Sequence, residues 1–330
     1  MSTSTDTTDA ATPSGRLHAL YKKYCVLTDW NIGVVPVTTG TISRLVHSGQ
    51  LGPIRWLPKA SPLNSRADPF MWPHENGPRI IFEEIDHWTG RGHISSLPLE
   101  KLMVPGAARR EITQSYHLSY PFVLQSAGKW YCMPESARSG GIDLYLWNEK
   151  LASWQLARRL IDGVQLIDAT LFEHENNYYL FATTRGDGSY EKLRIWWAPS
   201  LAGPWKLHAQ DPVKTDLRSS RPAGPLFKHE STWYRPAQDC SRGYGGAVTI
   251  NRLEVLDPEH YRETQVCQLM PDHNGPYPDG LHTLVVCDDM ILVDGKRVGF
   301  SAALLGMKLA RRLKGSRGAA NGAAAAGTAL

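Results

Sequence analysis

The chain has 330 residues, 42% hydrophobic and 21% charged, with a formal net charge of +4 at pH 7. That balance can bury one large core or two smaller ones, and its apolar runs, such as Ile291 to Val293, fall far short of the roughly 20 residues of a membrane-spanning helix. Seven positive charges between Lys296 and Arg317 have no acid among them, and removing seven from +4 leaves −3 for the rest, a mildly acidic body that argues against nucleic acid as a partner.

The first 15 residues, MSTSTDTTDAATPSG, are Ser/Thr/Asp-rich and lack the basic start and apolar core of a secretory signal. They are expected to be disordered, and the protein cytoplasmic. Cys25, Cys132, Cys240, Cys267 and Cys287 are odd in number with no CxxC pair, a pattern of free thiols rather than of a disulfide framework or zinc site.

From residue 16 to 297, aromatic and alternating apolar segments recur between Gly, Asn and Pro, an all-β signature. Four hairpins superimpose: DPFMWPHENGPRIIFEE from Asp68, YPFVLQSAGKWYCMPES from Tyr120, DATLFEHENNYYLFATT from Asp168 and AGPLFKHESTWYRPAQD from Ala223, with a weaker copy from Leu281. Their starts lie 52, 48, 55 and 58 residues apart, the period of four-stranded blades, and five units predict a five-bladed β-propeller. A β-sandwich also uses short strands, but has no reason to repeat every fifty residues. Further strands are expected at GHISSLPL, GIDLYLW, LRIWWAP and AVTINRLEVL, and Trp30 to Val35 is expected to complete the last blade. Residues 298–330 form a basic, then Ala/Gly-rich tail, read either as a helical contact for the inner face of a membrane or as a solvated helix.

Hairpin symmetry pairs Asp68 with Glu83, Tyr120 with Glu135, Asp168 with Thr183 and Ala223 with Gln238, because residues equidistant from a turn face each other. The strand ends then converge near the propeller axis. Asp68, Glu83, Glu135 and Asp168 become candidates for one pocket, with Glu84, Asp239 and Arg221 nearby. Convergent carboxylates suit glycosyl chemistry, in which one acid stabilises an oxocarbenium-like transition state and another moves a proton. The structural alternative is that such acids cap turns or bond a neighbouring blade's backbone.

The segment from Ser219 to Ala247 gathers Arg221, Arg235, Gln238, Asp239 and Tyr244. Arginine forks suit anionic groups, so these residues, with Tyr120, are candidate contacts for an anionic sugar, although either arginine could instead pair with an axial acid. His117 and His282 stand beside first-strand starts and are candidates for hydroxyl binding or proton transfer. No HExxH, EF-hand or phosphate-loop motif is present, and neither metal nor cofactor is expected.

The motifs ADPF, HLSYPFV, WYCMPES, SSRPAG and YRPAQDCSRGYG, in that order, resemble the N-terminal propeller domain of plant glucosamine inositolphosphorylceramide transferases and its bacterial relatives, over about residues 28 to 296. More distantly the pattern is similar to the five-bladed arabinanase and furanosidase superfamily. That resemblance implies Asp68 as base or nucleophile and Asp168 as the orienting acid. Where those enzymes carry an acid in an EGP-like motif, this chain reads Arg221-Pro222-Ala223-Gly224, so Glu135 becomes the expected proton donor. The resemblance implies transfer or hydrolysis of a glycosyl unit on a polysaccharide or glycolipid precursor. The alternative is a non-catalytic glycan-binding module serving a separate glycosyltransferase.

Overall fold

Five antiparallel sheets succeed one another along the chain. The structure is a computed structural model describing residues 20–312 apart from 23 and 60; the Ser/Thr/Asp-rich start and the Ala/Gly-rich end of the sequence lie outside the described residues. Blade 1 consists of Asn64–Trp72, Arg79–Asp86, Arg91–Pro98 and Arg109–Ile112, and blade 2 of Ser119–Ser126, Lys129–Glu135, Gly141–Asn148 and Ser153–Asp162. Blade 3 has Leu166–His174, Asn177–Thr184 and Lys192–Ala198, the last pairing with both Lys206–Leu207 and Lys214–Thr215. Blade 4 has Phe227–His229, Thr232–Asp239, Ala247–Leu256 and Tyr261–Leu269.

Blade 5 combines the two ends of the fold. Its inner strands, Leu284–Val286 and Met290–Phe300, are followed outward by Val26–Pro36 and Arg55–Trp56. Every residue from Val26 to Pro36 pairs with one from Phe300 back to Met290, so the expected closing strand does complete the ring, and blade 5 covers the apolar faces of blades 4 and 1 on either side of it. The chain is thus an all-β, five-bladed propeller.

The central strands are nearly continuous apolar runs because neighbouring blades cover both their faces. Ile80, Ile81 and Phe82 are fully buried and share one core cluster with Phe122, Met133, Ile142 and Leu171 of the next two blades. The tight turns are local: Ala127-Gly128 and Glu175-Asn176 all have positive φ, as a two-residue type I′ hairpin requires. Helix α1, Thr41–Ser48, buries Leu45 and Val46 in a cluster shared with Val35 and Leu269. A second helix, 302–312, buries Leu304 and Met307. Among the described residues no helix is long and apolar enough to cross a membrane.

One detail of the predicted register is corrected. Phe70 faces Ile81, as hairpin symmetry demands, but Ala67, not Asp68, faces Glu83. Likewise Ser119 faces Glu135, and Ile167 faces Thr183. In each strand one extra residue has been accommodated as a β-bulge, and Asp68, Tyr120 and Asp168 take φ of 51°, 42° and 50° there. A bulge bends the strand and re-aims its side chains. The left-handed region is tolerable for Asp but strained for a bulky Tyr, at roughly 1–3 kcal/mol; something must hold these residues in place.

Candidate active site

What holds the three bulges is a relay of carboxylates from neighbouring blades. Asp294 Oδ2 of blade 5 accepts the Asp68 amide (3.1 Å), Asp68 Oδ2 accepts the Tyr120 amide (3.1 Å), and Glu135 Oε2 accepts the Asp168 amide (3.0 Å). Asp168 Oδ2 in turn accepts from Arg221 Nε (2.5 Å) and Gln238 Nε2 (2.6 Å) of blade 4. The acids therefore do join blades, as the structural alternative foresaw, and Asp68, Glu135 and Asp168 also line a cavity of about 260 Å³ at the axis.

That cavity brings together Asp68, Glu83, His117, Glu135, Asp168, Arg221, Tyr244 and His282 from the sequence reading, with Trp30 and Ser119 in addition. A larger cavity, about 650 Å³, lies to one side between residues 48–56 and 268–281, lined by Leu, Ile, Pro, Trp56 and Tyr277 together with polar residues that include Asp272 and, at its floor, Asp294. Size favours it, but the convergent titratable groups are at the axis, and such groups mark chemical sites.

Burial pushes the Asp68 carboxyl up to about 7; protonated His282 pulls it down, and the charges of Glu83, Asp168 and Asp294 add to the rise. Thr283 Oγ1 donates to its Oδ1 (2.9 Å). Glu135 stands well above the usual carboxylate range, first through burial and then through the negative charge of Asp168, with Arg221 opposing. His282 rises to about 9 although burial lowers it, because Asp294 and Asp68 favour the charged ring; its Nδ1 is 2.6 Å from Asp294 Oδ2 and 3.8 Å from Asp68 Oδ1.

His282 also lies flat against Trp30, ring centroids 4.0 Å apart, and Tyr244 meets it edge-on at 5.1 Å. The Arg221 guanidinium sits 4.8 Å from the Tyr244 ring and 5.4 Å from the Tyr190 ring, cation–π contacts at the cavity wall. On the opposite wall His117 Nδ1 accepts the Gly92 amide (2.9 Å), which leaves the proton on Nε2, 2.8 Å from Glu83 Oε1. Burial opposes the charge on His117, yet Glu83 and Asp68 raise it above its ordinary value. Gly92 is required there, since a Cβ would fall 2.5 Å from Glu83 Oε1.

Asp68, His282 and Asp294 bring one potential metal-ligand atom each within 4.8 Å of one another. A cation would have to displace the proton shared between His282 and Asp294.

Five residues expected at or near the pocket do not line it. Arg235 is buried inside blade 4, its guanidinium taken up by Glu263 (2.6 and 2.8 Å) and Ser219 O (2.6 Å); its partner is not an axial acid. Asp239 accepts the Ser241 amide (2.8 Å) and the Gln268 side chain at a separate surface hollow with Arg242. Tyr120 points into the core, packing on Phe70 at 4.9 Å and bonding Thr170 Oγ1 (2.7 Å). Gln238 supports Asp168 from behind. Glu84 is tied to Arg66, His93 and Ser95.

Besides Ser119, three residues at or beside the site were missed. Asp294 stands where the other blades carry Ile81, Met133, Phe181 and Pro236, so an acid in an apolar repeat position was its signal. Lys296 occupies the position of Glu83 and Glu135, fifteen residues after Leu281, and its Nζ reaches Tyr244 O and lies 5.5 Å from the Trp30 ring. Trp30 had no signal beyond its place in the closing strand.

The sequence profile of the family described as glucosamine inositolphosphorylceramide transferase 1, N-terminal, matches residues 56–275. The chain is similar to glucosamine inositolphosphorylceramide transferase 1 of Arabidopsis thaliana, 33% identical over 214 residues, covering 62% of this chain and 28% of the relative. The japonica rice protein of the same name is 34% identical over the same shares. The chain thus spans less than a third of the relatives it matches. Among solved structures, a family 117 glycoside hydrolase from Zobellia galactanivorans superimposes with a TM-score of 0.48 at 12% identity, covering 74% of this chain and 87% of that one.

Proposed function

The chain belongs to the family of glucosamine inositolphosphorylceramide transferase N-terminal domains, and on that premise we propose that it is a carbohydrate-active propeller which transfers or hydrolyses a glycosyl unit on a polysaccharide or glycolipid precursor. The observation that carries this reading is the pair of buried axial carboxylates, Asp68 and Glu135, both with raised pKa. A carboxyl that holds its proton more tightly than usual can donate it to a leaving oxygen, and one that titrates near 7 is matched to accepting one. Glu135 is the donor and Asp68 the base or nucleophile. Asp168, fixed by Arg221 and Gln238, orients the sugar, and Arg221 meets an anionic substituent.

Glu135→Gln and Asp68→Asn each keep the side chain's shape, and each is expected to lower turnover by about 10²–10⁴-fold, measured with activated sugars and glycosides. Undiminished turnover in both variants would overturn the assignment. A second reading, glycan recognition without turnover for a separate glycosyltransferase, is favoured by the structural duty of both acids as caps for a neighbouring blade's amide. Sugar binding that survives both substitutions, with no turnover of any donor by the unaltered protein, would select it.

A further inference from the structure

In blade 5 the second strand runs back toward the axial pocket and continues past it. Lys296 touches Tyr244 and Trp30 at the pocket wall, and Phe300 lies four residues further on, about 13 Å of extended strand. Over this stretch Val26 to Trp30 pairs with Lys296 to Phe300, a two-stranded ribbon standing on the same end of the propeller as the pocket. Helix 302–312 follows at once, joined by the Ser301 amide bonding Cys25 O (2.8 Å).

This ribbon and helix combine exposed apolar side chains with basic ones. Phe300 is 62% exposed, Leu309 51% and Val298 46%, although strand and helix both have buried faces to hold such residues. Trp88, 42% exposed, joins them from the turn of blade 1, with Arg311 5.5 Å from its ring. The basic residues here are Lys296, Arg297, Lys308, Arg311 and Arg312; Asp29 is buried against Lys59 and Arg297, Asp279 accepts the Val298 amide, and Asp86 accepts the Trp88 amide. Exposed apolar side chains amid basic ones are what an anionic bilayer surface binds. The apolar groups enter the headgroup boundary, and the cations remain beside the lipid phosphates.

We propose that the ribbon tip and helix 302–312 dock the protein on an anionic lipid surface, through Val298, Phe300 and Leu309 with Arg297, Lys308 and Arg311. Docking there turns the pocket end of the propeller toward the bilayer. The inference stands on exposure and charge, independently of what the pocket does.

The experiment is flotation of the full-length protein with vesicles of phosphatidylcholine, alone or mixed with phosphatidylglycerol. Binding is expected to the mixed vesicles alone and to fade as salt is raised. Phe300→Glu and Leu309→Glu, each at an exposed position and so without cost to the fold, are each expected to lower the vesicle partition about tenfold or more. Failure of the unaltered protein to float with the mixed vesicles overturns the proposal. So does equal flotation of both variants, which would move binding to another part of the chain, or loss of a self-associated species instead of vesicle binding, which would make the patch an interface between copies.

Discussion

Arg221 and Arg235 lie fourteen residues apart, both buried and both bonded to a carboxylate, yet they belong to different kinds of place. Arg221 precedes the inner strand of blade 4 and reaches across to Asp168 of blade 3, with the cavity beyond it. Arg235 is mid-strand and turns outward through its own blade to Glu263, sealed from every cavity described above. A residue at the axial end of a strand meets other blades, whereas one two or three positions further along meets its own sheet. Composition cannot tell these apart; register can.

The largest effect that sharpens this contrast is at Arg235. Arg235→Ala leaves Glu263 buried with Lys214 alone, and should cost about 3–5 kcal/mol of stability by denaturant unfolding. Sugar affinity per folded molecule should not change. Next is the pH dependence of the axial cluster. His282 titrates at about 9 when folded against an ordinary 6.5, so its contribution, up to about 3 kcal/mol, is complete below 6.5 and lost as pH rises through 9. Asp68 acts in a lower window. Its raised value means the fold binds an extra proton between 3.8 and about 7, and stability falls across that range. Asp294→Asn should remove the upper fall and spare any pH dependence centred on Glu263, as thermal unfolding across pH would record.

Arg221→Ala should cost less stability, about 1–2 kcal/mol, because water entering the cavity solvates Asp168, but it should weaken an anionic sugar ligand tenfold or more. Equal stability losses in the two arginine variants would break the comparison. Smallest is Tyr120→Phe, which removes the hydroxyl bond to Thr170 for about 1 kcal/mol. Turnover should be unaffected, since the side chain faces the core.

The propeller was legible because each blade repeats one hairpin and its spacing excludes other sheet arrangements. The pocket was legible as far as hairpin symmetry held, which brought Asp68, Glu83, Glu135 and Asp168 to one end. Symmetry alone misplaced their partners by one residue, because a bulge leaves no mark in composition except the tolerance of Asp for positive φ, and Tyr120 lacks even that. Arg235 and Asp239 were misplaced by judging a segment's polar content rather than the direction each strand position faces, and Tyr120 by its equivalence to Asp68 and Asp168 in the repeat. Asp294 and Lys296 sit thirteen and fifteen residues into the faintest repeat, where Leu281 stands in place of an opening acid.

Because blade 5 is assembled from both ends of the fold, the segment of highest family likeness is not a folding unit. A fragment trimmed to residues 56–275 would lose Val26–Pro36, Leu284–Val286 and Met290–Phe300 from that blade, leaving a four-fifths arc with the apolar faces of blades 1 and 4 exposed and prone to self-association. It would also lose Trp30, His282 and Asp294, and with them the proton that keeps Asp68 in balance. Excision by similarity would thus remove the clasp and the site's electrostatic counterweight in one cut.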